Sequence, residues 1–371
     1  MAKTAVNLSQ LLAIKPEHVV PAPGNIVDLT YERDYEGGEM PIRVRVTTDV
    51  AGIATFTVTA EAEEVAYSLE AARKALARST GNDPEQPGGI DKAREAMGAQ
   101  AFEGNVVYLV KQRLMCLAYM RTGILPFLAP EYPPSEAPAE GRGLTFTARV
   151  RLRPRGRVED FSPVSVPFPA KREVADKEVD EFLNQMLGGA FNVAAIPDEA
   201  KAGMERLRGQ AREACEKRRD GEWWGDVMEA VADEFARTRL TAQPGVRYVT
   251  QLAELMANQL AEQLERSGTK WSDFTARPDF DMDAFKDAMM ENAELSLRRG
   301  LALDAVAAHA GIALTQDDVL ATLSAVARGT ESVAAQAMID NGQLPQVIEV
   351  AMRAKASNWL AENAVDTRKA E

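Results

Sequence analysis

The chain has 371 residues, of which 46% are hydrophobic and 27% are charged. This balance is typical of folded globular proteins and excludes a largely disordered chain, and the length predicts two or three domains. Residues 1–172 hold 21 basic and 21 acidic residues, whereas residues 173–371 hold 22 basic and 35 acidic ones, so the whole net charge of −13 lies in the second half. We do not expect an acidic half of this kind to read nucleic acid.

The first half of the chain mixes strand and helix patterns. Residues 1–40 contain scattered Pro and Gly and are predicted to be an irregular N-terminal extension. The alternation in IRVRVTTDVAGIATFTVTA, residues 42–60, predicts a β-hairpin. Helical patterns follow at residues 63–78 and 90–123, on either side of STGNDPEQPGGI, which therefore forms an exposed connection.

Strand character returns in LTFTARVRLRP, where Arg149, Arg151 and Arg153 alternate with apolar residues. A period of two places these arginines on one face of a sheet. A solvated sheet face is the commoner cause of such a pattern, and a basic contact face for RNA is the alternative.

The second half of the chain is predicted to be helical. The proline-rich residues 156–172 read as an extended linker, and helical periodicity runs from Val174 almost to the end. Asp176 is a predicted N-cap, and Thr315 with Asp318 has capping-box spacing. The acidic residues of DFDMDAF, at 279–285, fit a helix start better than a calcium loop.

The sequence offers few candidate catalytic residues. The two histidines, His18 and His309, have no metal-binding spacing, and no phosphate-binding glycine loop is found, so no metal and no cofactor is predicted. Cys116 lies in an apolar context that raises a thiol pKa and leaves it inert. Cys116 and Cys215 are predicted to be reduced, and no secretory leader or membrane span is recognised, which favours a cytoplasmic protein.

Several stretches resemble trigger factor, the bacterial ribosome-associated chaperone. The most specific are FKDAMMENAELSLRRGLALDAVAAHAGIALTQDDVLATLSAVARG and MIDNGQLPQVIEVAMRAKASNWLAENA, which keep the order of helices in the family's C-terminal domain. The likeness extends over residues 145–365 and is weaker from 41 to 144. It implies an α+β, mostly helical fold: an α/β head at 41–155, a linker at 156–172, and an elongated all-α domain with arms at 173–371.

Two departures from the family pattern change what the resemblance implies. Only GGAFNVAAIPDEAKAG stands where the family usually has a prolyl isomerase domain of the FK506-binding type, so that enzymatic activity is not expected. The family's ribosome-docking loop carries Gly-Phe-Arg-x-Gly-Lys-x-Pro between the two long head helices, whereas this chain has TGNDPEQPGG there. The positions of that degenerate loop are Thr80, Gly81, Asp83, Pro84, Glu85, Pro87 and Gly89.

The resemblance implies an ATP-independent chaperone that holds unfolded or nascent polypeptides on an apolar concave surface. Its expected partners are unfolded or nascent polypeptides. The family also binds the ribosome, but the degenerate docking loop argues against that partner here. No binding to DNA or membrane is expected, and the expected state is a monomer or weak dimer. The predicted client contacts are Met256, Leu260, Met289, Met290, Leu297, Val319, Leu323, Met338 and Ile339. The alternatives are a dedicated scaffold for one folded partner and a prolyl isomerase with an unrecognised site.

Overall fold

The computed structural model describes Leu8, Leu12, residues 26–48 with short gaps, and residues 52–154, 156–188, 201–241 and 244–369. The strands are β1 (Ile26–Tyr31), β2 (Asp34–Tyr35), β3 (Gly38–Glu39), β4 (Ile42–Thr48), β5 (Ile53–Ala60), β6 (Leu144–Arg151), β7 (Ser165–Val166) and β8 (Val365–Asp366). The first helices are α1 (Ala62–Ser79), α2 (Gly89–Met97), α3 (Ala99–Thr122) and α4 (Asp176–Met186). The others are α5 (Lys201–Arg239), α6 (Val246–Arg266), α7 (Trp271–Thr275), α8 (Met282–His309), α9 (Gln316–Ala327), α10 (Glu331–Asp340) and α11 (Leu344–Asn363).

The predicted fold class, α+β and mostly helical with a small sheet near the N-terminus, is confirmed. The chain divides into two compact units. Unit 1 contains Met1–Pro154 and Ile312–Met352, and unit 2 contains Arg155–Gly311 and Arg353–Glu371. These units cut the chain differently from the domains expected from the sequence, because residues 312–352 join the N-terminal residues.

Unit 1 is built on an antiparallel sheet in the order β1-β4-β5-β6. Strand β1 lies within the segment that the sequence predicts to be irregular. Strands β4, β5 and β6 bury every second side chain, as their alternating sequences predict, and that inner face includes Phe56 and Phe146. Helices α1 and α3 supply apolar residues to the same core.

The segment at 312–352 completes the core of unit 1. Val319, Leu323 and Ile339 are buried in the same hydrophobic cluster as the sheet and α3. The turn between α10 and α11 approaches α3 closely, because a Cβ at Gly342 would lie 2.5 Å from the Gln112 carbonyl oxygen. Gly342 also has a φ of 72°, so glycine fits this turn for two reasons.

Unit 2 packs helices around the segment that the sequence predicts to be a linker. Val164, Val166 and Phe168 are buried, and β7 pairs in parallel with β8. The Phe161 ring stacks on His309 with 3.9 Å between ring centroids. The segment therefore packs against its own unit along much of its length.

Two of the three helix starts predicted from local signals agree with the structure, and the third is off by one residue. Thr315 and Asp318 form the predicted capping box. Asp281 caps α8 by accepting hydrogen bonds from two backbone N–H groups, which confirms the helix start predicted there. The prediction for Asp176 is one residue off, since Ala175 is the N-cap and Asp176 lies in the first turn, where a carboxylate favours the helix dipole.

Candidate functional surfaces

The predicted client contacts are divided between the two units. Val319, Leu323, Met338 and Ile339 belong to unit 1, and the other five belong to unit 2. Val319, Leu323 and Ile339 are core residues of unit 1, and Leu297 is 5% exposed in unit 2. Because a buried side chain cannot contact a client in this conformation, the structure removes these four from the predicted surface.

The remaining predicted contacts of unit 2 lie on two helices that pack together, α6 and α8. Met256 and Leu260 on α6 are half-buried, as are Met289 and Met290 on α8. Leu255 and Met282 on the same helices are exposed although they are large and apolar. The hairpin of α6 and α8 thus carries partly exposed apolar side chains.

An aromatic cluster between α6 and α8 escaped the sequence-based predictions. Trp271 lies 5.5 Å from Phe274 and 5.7 Å from Phe285, and Phe280 lies 5.3 Å from Phe274, measured between ring centroids. None of the four rings is fully buried. The signal is present in the sequence, since WSDFTARPDFDMDAF holds four aromatic residues in a chain that is only 6% aromatic.

The loop at the family's docking position lies between α1 and α2. Asp83 accepts a hydrogen bond from the Glu85 amide at 3.0 Å, and Glu85 pairs with Lys74 Nζ at 3.0 Å. A Cβ at Gly89 would lie 2.0 Å from the Asp83 carbonyl oxygen, so the loop closes tightly on the start of α2. The loop itself presents two carboxylates and no cation.

The structure separates the three arginines that the alternating pattern placed together. Arg149 and Arg151 lie on the outer face of β6. Arg153 lies beyond the end of the strand, where its side chain pairs with Glu349 and donates to the Pro126 carbonyl oxygen at 3.3 Å. The predicted basic face therefore loses Arg153, because the period of two ends with the strand.

A buried ionic network links three helices of unit 1. Arg113 on α3 is 1% exposed and pairs with Glu64 on α1, and its Nε lies 3.4 Å from Asp340 Oδ1 on α10. Arg113 Nη1 also donates to Ser68 Oγ at 2.9 Å, and its guanidinium lies over the Tyr67 ring. Burial alone would lower the pKa of Arg113, but the two carboxylates outweigh it and raise that pKa.

Two further groups of unit 1 titrate outside their ordinary range. Burial, with the Asp340 charge as the next cause, raises the pKa of Tyr67 to about 12. Burial also raises the pKa of the Cys116 thiol to about 12, which confirms the prediction of an inert core cysteine.

None of the helices in the described ranges is long and apolar enough to cross a membrane. The segment between α4 and α5, where the family usually has its isomerase domain, lies outside the described residues over 189–200.

Comparison with known proteins gives a family match and a structural match. Residues 203–362 match the family model for the C-terminus of the bacterial trigger factor protein. Among solved structures, one from work on promiscuous substrate recognition in folding and assembly activities of the trigger factor chaperone aligns with 86% of this chain and 99% of its own. Its sequence identity is 11% and its TM-score is 0.35, which is too low to establish a common fold along the whole chain. No curated protein matches the chain significantly.

The family match covers α5 to α11 almost completely. It confirms the resemblance that the sequence motifs indicated and supports the predicted chaperone function, while the alternative of a dedicated scaffold is not favoured. Residues 203–362 are therefore a trigger factor C-terminal region, and this match supports a trigger-factor-type protein.

Proposed function

We propose that this chaperone holds unfolded or nascent polypeptides on the hairpin of α6, α7 and α8. The observation that carries the proposal is the aromatic cluster of Trp271, Phe274, Phe280 and Phe285, which is only partly buried. Exposed apolar side chains gain free energy by covering the apolar segments of an unfolded client.

Methionine side chains support the same surface. Met256 on α6 and Met289 and Met290 on α8 are half-buried, and these two helices flank the aromatic cluster. Methionine is flexible and polarisable, so a surface that contains it adapts to clients of different shape. Residues 173–371 are acidic, and that charge keeps a complex with an apolar client in solution. Binding of this kind needs no ATP.

Aggregation assays on several unrelated unfolded proteins test the proposal. A variant with Trp271→Ala and Phe274→Ala should suppress aggregation several-fold less than the wild type, with an unchanged far-UV circular dichroism spectrum. Met186→Gln is the matched control, because Met186 is a large apolar residue that is 56% exposed but lies on α4. Equal suppression by all three proteins would refute this placement of the client surface.

Breadth of client binding separates this function from the scaffold alternative. A general chaperone protects several unrelated clients, whereas a dedicated scaffold protects one and co-purifies with it in a fixed ratio. We also propose that the protein acts in the cytoplasm and that the loop at 80–88 does not grip the ribosome. The carboxylates of Asp83 and Glu85 support this last point, since they repel the phosphates of ribosomal RNA.

A further inference from the structure

The outer face of the sheet in unit 1 has an unusual composition. The outward positions of β4, β5 and β6 contain arginine and threonine, with Ile53 as the single exception. These positions are Arg43, Arg45, Thr47, Ile53, Thr55, Thr57, Thr59, Thr145, Thr147, Arg149 and Arg151, which we call the Arg/Thr face. None of them holds a carboxylate.

Register between the strands sets the order of side chains across the Arg/Thr face. Thr59 lies between Arg43 and Thr145, and Thr55 lies opposite Arg149. The hydroxyls of Thr59 and Thr145 are 3.0 Å apart. Neighbouring strands are about 4.8 Å apart and alternate residues along a strand about 6.6 Å apart, so the face is a regular grid of guanidinium and hydroxyl groups.

Carboxylates stand at the rim of the Arg/Thr face. Arg43 Nη2 lies 3.3 Å from Glu61 Oε1, and Arg149 Nη1 lies 3.8 Å from Glu131 Oε2. The arginine side chains in these pairs are 61% and 50% exposed. Exposed pairs of this kind contribute little to stability, so a stronger anion can replace them at small cost. Opposite Arg45, the edge strand β1 places Asp28 in register.

The side chains of the Arg/Thr face favour a nucleic-acid partner over a protein partner. A protein partner would need an apolar centre to its interface, and Ile53 alone does not supply one. Nucleic-acid interfaces are more polar and more positively charged, and arginine binds phosphate oxygens in a bidentate manner. The face has no aromatic residue on which a base could stack. These properties favour contact with a phosphate backbone and not with bases.

Shape and hydroxyl content favour RNA over DNA. The minor groove of A-form RNA is wide and shallow and displays 2′-hydroxyl groups, whereas the minor groove of B-DNA is narrow. The surface of a sheet is broad enough to lie across the former, and threonine hydroxyls can exchange hydrogen bonds with the 2′-hydroxyls. We propose that the Arg/Thr face binds the backbone of double-stranded RNA without regard to sequence.

The test uses the full-length protein and a labelled RNA duplex of about 16 base pairs, the length that known double-stranded RNA modules span. Binding is measured by fluorescence anisotropy from about 50 to about 200 mM salt. If four arginines each neutralise one phosphate, the slope of log K against log salt is about −3.6. Binding should be independent of sequence and should be weaker, by several-fold, for a DNA duplex of the same sequence.

Variants assign the binding to this face. Replacing Arg149 and Arg151 by Gln should weaken RNA binding more than ten-fold at low salt and make the slope shallower by about 2. The control replaces Arg237 and Arg266 by Gln, which removes the same charge as the test variant. These two arginines lie on helices of unit 2, and their side chains are 70% and 80% exposed. Thermal unfolding curves identify any variant that fails to fold, and in that case the pair Arg43→Gln and Arg45→Gln gives the same test on β4.

Four results would overturn the proposal. They are no binding of the RNA duplex at the lowest salt, equal loss in the unit 2 control, equal affinity for DNA, and displacement of the RNA by a poly-glutamate peptide at equal charge concentration. The last result would assign the face to an acidic protein instead. The proposal does not depend on the client surface, because aggregation suppression by the Arg149 and Arg151 variant should equal that of the wild type.

Discussion

Removal of the Arg113 guanidinium should destabilise unit 1 strongly. In the variant Arg113→Met, Glu64 keeps its buried position but loses the cation that compensates its charge, and Ser68 loses a donor. Removal of one partner of a buried ion pair costs about 3–5 kcal/mol. Because Arg113 is 1% and Glu64 is 7% exposed, water cannot replace the lost partner, and we expect a value in this range.

Asp340→Asn should cost less than Arg113→Met. The Asp340 side chain is 21% exposed and its contact with Arg113 Nε is 3.4 Å long, so water can solvate the site after the charge is removed. We expect about 1.5–3 kcal/mol, the usual contribution of a hydrogen bond to a charged group. The double variant Arg113→Met and Glu64→Leu should recover much of the loss, because apolar groups of similar volume can replace a buried ion pair.

Hydrogen exchange measured by mass spectrometry is the suitable assay. All four tryptophans, at positions 223, 224, 271 and 359, lie outside unit 1, so tryptophan fluorescence reports on unit 2. Exchange in peptides from α1, α3 and α10 reports on the network itself. If Arg113→Met lowered the opening free energy of these helices by less than about 1 kcal/mol, or by less than Asp340→Asn, the buried pair would not stabilise unit 1 in the way we infer.

Three other predictions concern a glycine turn, a paired carboxylate and isomerase activity. Gly342→Ala should destabilise unit 1 by more than about 1 kcal/mol, because Gly342 has a positive φ and the new Cβ would clash with the Gln112 carbonyl oxygen. The control Gly104→Ala should be stabilising, because Gly104 is helical and has nothing within 4 Å of the added Cβ. Urea titrations compare the two variants. The Arg172 and Arg218 side chains hold the pKa of Glu178 down to about 2, so its contribution is present above the ordinary value near 4.5 and is lost as pH falls toward 2. Acid titrations should therefore show a shallower loss of stability for Glu178→Gln, and an identical curve would contradict the pairing. A peptide assay for prolyl isomerisation should give the uncatalysed rate, and any acceleration that scales with protein concentration would reveal an isomerase site.

Local patterns predicted local structure well. The alternation in β4, β5 and β6 predicted which side chains are buried, because a pleated strand places alternate residues on opposite faces. The spacing of Thr315 and Asp318 predicted a capping box, since that motif needs only residues within one turn. The inert Cys116 could be predicted for the same reason, as its apolar neighbours in sequence are also its neighbours in the core.

Predictions that depended on distant residues were less successful. Helical periodicity identified the apolar side of α9 and α10, but could not show that Val319 and Leu323 cover the core of unit 1 and not a client. Arg113 gave no signal, because its partners Glu64 and Asp340 lie 49 and 227 residues away. The Arg/Thr face was predicted only along β6, since its extension through Thr55, Thr57 and Arg43 depends on the register of three strands.

Unit 1 is assembled from two segments that are far apart in the chain, and this affects how it folds during synthesis. Its sheet and first helices are made early, but the helix that carries Asp340 is made 227 residues after Arg113. Until Ile312–Met352 has left the ribosome, the nascent head has an open apolar core and an arginine whose charge is only half compensated. Domains that can close early fold during translation, but this head has to wait for most of the chain. A chaperone of this design is itself exposed to aggregation while it is made, because the region synthesised first is among the last to finish folding.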